Sequence, residues 1–383
     1  MKQFAANYIF PVTSKPIKNG IVVTDDSGTI IQIIDTKGKL SEQPNIQFFN
    51  GVIVPGFINS HTHLELSYLK DAIPYNCGHI DFIRNIVNAI EKKIVDFDKI
   101  ASADLLMKNN GIVAIADISN TINSSEIKKR STIYYHTFIE QADFFSKQYY
   151  DKAIEQFEII KRHFSVYSLV GHAPYSTSID FIKKSAEISK NVYSLHNQEA
   201  PDEDLMYQRA KGEILQLMFQ RGLKNNFNPT NQSTIKSYLP KIVREDLNIL
   251  LVHNVYTTEE EIKWAEKISN NLYWVLCPLS NKYIQNIEIN YKKFMKQNCK
   301  ITLGTDSLAS NRTLSILEEM KFFEEIDFEE ILKWATINGA KALKIENKYG
   351  SIEKGKQPGL NLIEYFDFQQ FKLTSKSKIK KLI

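Results

Sequence analysis

Residues 52–63 read Val52-Ile53-Val54-Pro55-Gly56-Phe57-Ile58-Asn59-Ser60-His61-Thr62-His63. A short β-branched run meets a Pro-Gly break and, soon after, two histidines one residue apart. Upstream, the chain is β-like: Ile21-Val22-Val23 and residues 29–34 flank Asp25-Asp26-Ser27-Gly28, a turn signal. Downstream, short apolar runs alternate with longer segments at helical spacing, such as 80–95 and 154–163. With Val52-Ile53-Val54 as the first, the predicted strands continue at 112–115, 132–138, 167–170, 192–195, 249–252, 273–276 and 301–303, eight in all. Strands separated by helices imply βαβ units and a parallel sheet, and eight units in about 250 residues suit a closed (β/α)8 barrel. A doubly wound open sheet is the alternative, but no Gly-rich dinucleotide fingerprint follows any strand. Helical text returns around 314–323 and 328–343, and strand-like Leu360-Asn361-Leu362-Ile363 follows Pro358-Gly359. The two β-like ends are expected to pair, giving a small domain of residues 1–52 plus 348–383 beside a catalytic barrel of 53–347.

The 383 residues, 43% hydrophobic and 24% charged, exclude disorder, collagen-like structure and a disulfide scaffold. Cys77, Cys277 and Cys299 are odd in number and widely spaced, which suits reduced thiols. The net charge of +4 is spread along the chain, so no nucleic-acid partner is expected. The one basic cluster, Lys376, Lys378, Lys380 and Lys381, reads as a solvated edge strand or tail. No apolar run approaches the roughly 20 residues of a membrane span. Met1-Lys2-Gln3-Phe4 lacks the apolar stretch of a signal peptide, which favours the cytoplasm.

In a (β/α)8 barrel, catalytic groups sit at the C-terminal ends of the strands. His61 and His63 follow the first predicted strand, His172 the fourth, His196 the fifth and His253 the sixth, with Asp306 just beyond the eighth. Five of the eight histidines thus face one mouth. On extended chain His61 and His63 point to the same side and can share a metal ion, at about 2.0–2.1 Å for Zn²⁺. An isolated His-x-His is a weak signal. A nitrogen from His196 and an oxygen from Asp306 complete a mixed donor set that suits Zn²⁺ or Fe²⁺ better than Mg²⁺. Without the histidines, Asp306 in Gly304-Thr305-Asp306-Ser307 reads as a turn residue. Glu199, three residues after His196, reads either as a surface glutamate at a helix N-terminus or as a carboxylate that takes a proton from activated water.

Pro55-Gly56-Phe57-Ile58-Asn59-Ser60-His61-Thr62-His63-Leu64 resembles the opening motif of the amidohydrolase superfamily. Similar motifs follow in order: His172-Ala173-Pro174-Tyr175-Ser176, His196-x-x-Glu199, Val252-His253, Cys277-Pro278-Leu279-Ser280-Asn281, and Leu303-Gly304-Thr305-Asp306-Ser307-Leu308-Ala309-Ser310-Asn311. The set is similar to the branch that holds adenosylhomocysteine and guanine deaminases and chlorotriazine hydrolases. The resemblance implies an α/β fold, a distorted (β/α)8 TIM barrel with a small β-sandwich domain formed by both chain ends. It further implies that His61, His63, His196 and Asp306 hold one divalent metal ion, Zn²⁺ with Fe²⁺ as the alternative. Glu199 becomes the proton shuttle and His253, with Asp306, orients the attacking water. In related branches the sixth-strand histidine binds metal. No lysine stands at the fourth- or fifth-strand end, where two-metal members carry a carbamylated bridge. Pro358-Gly359 departs from the usual Ala-Asp.

The branch uses activated water to attack an sp² carbon, which implies hydrolytic deamination of an adenine nucleoside. His63-Leu64-Glu65-Leu66-Ser67 with Gly78-His79-Ile80-Asp81-Phe82-Ile83-Arg84 resembles aminodeoxyfutalosine deaminases of the futalosine route to menaquinone. Those convert 6-amino-6-deoxyfutalosine, an adenine nucleoside joined to a carboxyphenyl ketone, to futalosine and ammonia. Candidate substrate contacts are His172, Glu91 for the ribose, His136 and Glu140 near the third strand end, and Ser310 after the eighth strand. Arg84, and after it Arg312, is the candidate for the carboxylate, because a guanidinium offers a planar fork. The alternatives are an adenosine- or adenosylhomocysteine-type deaminase, a hydrolase of another C–N or C–Cl bond, and a metal-free binding protein. A small nucleoside is the expected partner, with no nucleic acid and no membrane, and a homodimer is left open.

Overall fold

The computed structural model describes residues 1–40, 45–223 and 227–383. The chain opens with β1 (Lys2–Ile9), β2 (Ile17–Lys18), β3 (Ile21–Thr24), β4 (Ile30–Ile34) and β5 (Ile46–Pro55). The β3–β4 hairpin turns where the sequence signals it: Asp25 Oδ1 accepts from the Ser27 and Thr29 amides, both at 2.9 Å. Eight strands follow: β6 (Phe57–Thr62), β7 (Ile112–Ser119), β8 (Tyr134–Gln141), β9 (Tyr167–Gly171), β10 (Val192–Asn197), β11 (Asn248–His253), β12 (Leu272–Leu276) and β13 (Ile301–Leu303). β14 (Leu360–Glu364) and β15 (Lys378–Lys381) close the chain.

Both chain ends meet in one seven-stranded sheet of order β15-β14-β5-β1-β3-β4, with β2 paired to β1. Phe4, Ile9, Val22, Ile53, Leu360 and Leu362 form its apolar layer. Lys378, Lys380 and Lys381 of the basic cluster fall on β15, the edge strand, where lysines discourage further strand pairing, and Lys376 lies in the turn before it.

Val52-Ile53-Val54 belong to this sheet and not to the barrel: Val52, Ile53 and Val54 pair with Ile363, Leu362 and Asn361 of β14. An apolar run carries no mark of which sheet it joins. The change of sheet falls at Gly56, where a Cβ would lie 2.3 Å from Val113 Cγ1 and 2.6 Å from the Pro358 carbonyl oxygen. Only glycine lets the chain cross there. The first barrel strand is β6, whose polar text hides a strand with every residue buried.

The barrel strands form two parallel halves, β6-β7-β8-β9 and β10-β11-β12-β13. The halves meet at two seams. At one, the His196 amide donates to the His172 carbonyl at 3.2 Å. At the other, the Thr305 and Asp306 amides both donate to the His61 carbonyl at 3.0 Å. Asn59 backs the second seam, donating to Thr305 Oγ1 at 2.8 Å and accepting from the Thr305 amide at 3.1 Å. Both seams therefore pass through residues at the mouth.

Candidate active site

β6 delivers His61 as its penultimate residue and His63 just past its end. The next amide, Leu64, donates to Asp117 Oδ1 at 2.7 Å, and Asp117 is itself paired with the buried Lys128 ammonium. This pair pins the chain where His63 leaves the strand. Gly304 permits the close approach of the eighth strand, since a Cβ there would stand 2.8 Å from His61 Cβ.

His61 Nε2 and His63 Nε2 lie 3.2 Å apart. Asp306 Oδ1 is 3.6 Å from the first and 3.5 Å from the second. His196 Nδ1 donates to the His172 carbonyl at 2.8 Å, which leaves its Nε2 as a lone pair. His61, His63 and His196 each offer a ligand atom within 4.8 Å of the others. Ligands at 2.0–2.1 Å from a shared tetrahedral ion stand about 3.3 Å from one another, so this donor set fits a small divalent cation. Burial, and then the neighbouring His61, hold His63 well below the usual histidine range, and burial brings His196 to about 4. Both rings are therefore neutral and able to ligate.

Asp306 is held in the left-handed region, φ 56°, and its Oδ2 accepts from Ser280 at 2.7 Å and Ser310 at 2.6 Å. His253 is also left-handed, φ 70°, as is Asn254 after it, φ 57°. Residues so placed cost of order 1–3 kcal/mol each unless the surroundings hold them. Here Asn254 donates to the Leu251 carbonyl at 2.6 Å, and the Lys293 ammonium donates to the carbonyls of Asn254, Val255 and Thr257. His253 Nδ1 faces Asn281 Oδ1 at 3.2 Å, which turns Nε2 toward Glu199 Oε1, 3.6 Å away.

Glu199 stands on the turn after β10. The Glu203 carboxylate holds that turn by accepting the amides of Gln198, Glu199 and Ala200 at 3.1, 2.7 and 3.1 Å. Burial, and then the charges of Asp306, Glu203 and Glu140, push Glu199 well above the ordinary carboxylate range.

These groups form the floor of a cavity of about 410 Å³, lined by His63, His172, His196, Glu199, His253 and Asp306, with Glu140 at its side. His172 Nδ1 pairs with Ser176 Oγ at 2.7 Å, and Glu140 Oε1 accepts from Asn120 at 3.0 Å. Other sequence-predicted contacts fall elsewhere. His136 lies inside the barrel against Ser168 Oγ, 2.9 Å away, and does not line the cavity. It shares the strand face of Glu140 but sits four residues earlier, about 13 Å deeper at 3.3 Å per residue. Ser310 is fully buried and touches Asp306 rather than the cavity. Glu91 is exposed, one position round the helix from the cavity-lining Ile90. Arg84 turns away to pair with Asp81 at 2.8 Å, and Arg312 lies over the Tyr75 ring, 5.3 Å from its centroid. Neither arginine lines the cavity.

His79 is a residue that the sequence did not single out for the site. It lines the cavity, is buried, and has neither ring nitrogen hydrogen-bonded; Nδ1 is 3.8 Å from Glu199 Oε1. The sequence holds it within Gly78-His79-Ile80-Asp81-Phe82-Ile83-Arg84, a segment read for its resemblance and not for a role of the imidazole, and Gly78, φ 81°, opens its helix. Among the described residues no helix is long and apolar enough to cross a membrane.

The Amidohydrolase family matches residues 147–383. An adenosine deaminase of Helicobacter pylori is 27% identical over 366 residues, covering 90% of this chain and 87% of that protein. An aminodeoxyfutalosine deaminase of Nitratiruptor sp. is 27% identical over 361 residues, covering 87% of this chain and 85% of that one. The crystal structure of Helicobacter pylori aminofutalosine deaminase in complex with methylthio-coformycin superposes with a TM-score of 0.79 at 23% identity, over 98% of this chain and 94% of that chain, and so shares the barrel fold. With well over half of its length matched, from residue 147 to the C-terminus, the chain belongs to the Amidohydrolase family of hydrolases.

Proposed function

We propose that this protein is a metal-dependent hydrolytic deaminase of an adenine nucleoside, with 6-amino-6-deoxyfutalosine as its preferred substrate and futalosine and ammonia as products, a step of menaquinone biosynthesis. The observation that carries the reading is the convergence of three imidazoles and the Asp306 carboxylate beside the buried Glu199 at the floor of one cavity. His61, His63, His196 and Asp306 would hold one divalent ion, Zn²⁺ by its nitrogen and oxygen donors. Such an ion lowers the pKa of water toward about 7 and so makes a nucleophile available at neutral pH.

The remaining work falls to the chain's own side chains. Glu199 accepts the proton from water and hands it to the ring nitrogen next to the amino-bearing carbon. That carbon becomes tetrahedral; the added hydroxyl then gives its proton to the amino group, the C–N bond breaks to release ammonia, and a carbonyl remains on the ring. A carboxyl raised by burial holds a proton long enough to pass it on. His253, with Nδ1 fixed by Asn281, directs Nε2 at the attacking water. His172 and Glu140 offer polar groups on the cavity wall to the nucleoside. The division into a small domain of both chain ends, 1–52 plus 348–383, and a barrel, 53–347, belongs to the same reading, with its first boundary moved to Gly56 because β5 carries residues 53–55 in the terminal sheet; the sandwich form of the small domain and the distortion of the barrel go with it.

The deciding experiment presents purified, zinc-loaded protein with adenosine, 5′-deoxy-5′-(methylthio)adenosine, adenosylhomocysteine and 6-amino-6-deoxyfutalosine. Ammonia release with a blue shift in ultraviolet absorbance is expected, fastest for the last. Ammonia from none of the four refutes the deaminase reading; a preference for adenosine or adenosylhomocysteine replaces the finer substrate assignment.

A further inference from the structure

Cys277-Pro278-Leu279-Ser280-Asn281 follows β12 and opens the helix Pro278–Gln285. A helix start leaves its first amides without an intrahelical acceptor, and a side chain at the N-cap ordinarily takes one of them. Here the N-cap is Cys277, which makes no side-chain cap bond, and Pro278 has no amide proton to place. The Leu279 amide finds its acceptor far along the chain: it donates to Glu319 Oε2 at 3.1 Å. A carboxylate is also the favoured partner for the positive end of a helix dipole.

Glu319 comes from the helix Ile316–Lys321, after β13. It is fully buried, whereas Glu318 beside it turns outward and pairs with Lys321 at 2.7 Å. The second oxygen of Glu319, Oε1, accepts from Asn311 Nδ2 at 2.9 Å. The same Nδ2 donates to the Thr305 carbonyl at 2.8 Å, so both of its protons are used, and Asn311 Oδ1 accepts from the Thr313 amide at 3.2 Å. One buried side chain thus grips two segments, one with each oxygen.

Those segments carry the groups that orient the site. The first turn of the helix Pro278–Gln285 presents Ser280 to Asp306 Oδ2 and Asn281 to His253 Nδ1. Residues 307–311 present Ser310 to the same Asp306 oxygen. Glu319 lines no part of the cavity and reaches Asp306 and His253 only through these partners.

We propose that Glu319 is a positioning residue of the active site: by capping the helix Pro278–Gln285 with one oxygen and holding Asn311 with the other, it sets the metal-facing Asp306 and the water-orienting His253 in mutual register. The inference rests on the roles proposed for those two residues and not on which nucleoside is the substrate. The competing account is a carboxylate that stabilises the fold and does nothing more.

The test uses the full chain, stripped of metal and titrated with Zn²⁺ against a chromophoric chelator. Glu319→Gln keeps the shape of the side chain but turns an NH2 group toward one of the two N–H donors. It should weaken metal affinity by about 10- to 100-fold. At saturating Zn²⁺ it should lower kcat for the fastest of the four nucleosides and leave KM unchanged. Met320→Ala, equally buried on the same helix, should lower the melting temperature and leave metal affinity at the wild-type value, which separates lost stability from lost position. The deciding measurement is a cycle. Added to the Ser280→Ala, Ser310→Ala double variant, Glu319→Gln should cost far less metal affinity than it costs the wild type, because the hydroxyls through which it acts are gone. If Glu319→Gln does not fold, Asn311→Ala, which cuts only the second link, carries the same cycle. Wild-type metal affinity in Glu319→Gln, an equal loss in Met320→Ala, or full additivity in the cycle overturns the proposal and leaves the deaminase reading intact. A wild-type protein that binds no Zn²⁺ tightly removes the metal reading and this inference together.

Discussion

The Ser310 hydroxyl donates to Asp306 Oδ2 at 2.6 Å, and so leaves Oδ1 as the oxygen turned toward His61 and His63. Ser280 reaches the same Oδ2 at 2.7 Å from the segment after β12. The carboxylate is thus split in function, one oxygen fixed by hydroxyls and the other free to ligate.

Ser310→Ala should weaken metal binding without abolishing it. Loss of a partner that orients a ligand costs about 10- to 100-fold in metal affinity or activity. Competition with a chromophoric chelator measures the shift. The Ser280→Ala, Ser310→Ala double variant should lose more than either alone, and an affinity equal to that of the wild type would show that the hydroxyls do not orient the ligand.

His61→Ala and His196→Ala should each lose metal and turnover together, because three nitrogens and one oxygen leave no spare donor. Elemental analysis after dialysis reads the outcome. Full metal content in either variant would take that residue out of the ligand set.

Glu199→Gln keeps the side-chain shape but cannot accept a proton. Metal content and nucleoside binding should stay near wild type while turnover drops by about 10²–10⁴-fold. Near-normal turnover would assign the proton to another group, with His79 the nearest unpartnered candidate.

Lys293 gives a pH signature in stability. Burial lowers it from its ordinary value of 10.5 to about 8, although Glu261 opposes the shift. Between those values the unfolded chain binds more protons than the folded one, so this group makes stability rise with pH from about 8 to 10.5. Below pH 8 the folded protein carries the buried charge at full cost. Lys293→Met should be destabilised by about 1–3 kcal/mol, because the carbonyls of Asn254, Val255 and Thr257 lose their donor. The difference in melting temperature between variant and wild type should change across this pH window; a constant difference would contradict the assignment.

Much of the site could be read in the linear text. Strands carry β-branched runs, and in a parallel barrel every C-terminal strand end opens on one mouth, so the order of His61, His63, His172, His196, His253 and Asp306 along the chain already gathers them. The strands from β7 to β13 lie where the apolar runs predict them. That mapping needs only the period of a strand and the sense of the barrel.

Tertiary structure decided what depends on phase, depth and distance. Val52-Ile53-Val54 and the polar β6 exchange places because a run of apolar residues satisfies either sheet, and the choice lies in the packing around Gly56. His136 and Glu140 share a strand face, yet only Glu140 reaches the cavity, because it stands four residues nearer the C-terminal end of β8, where the mouth opens. Arg84 follows Ile83 by one residue, and that step of about 100° round the helix turns its guanidinium out to Asp81. Glu319 reaches the Leu279 amide from the helix after β13, where no local pattern links it to the turn that carries Ser280. Periodicity is a local property of the chain and survives in the sequence; the meeting of two distant helices at one carboxylate is fixed only by how the whole barrel packs.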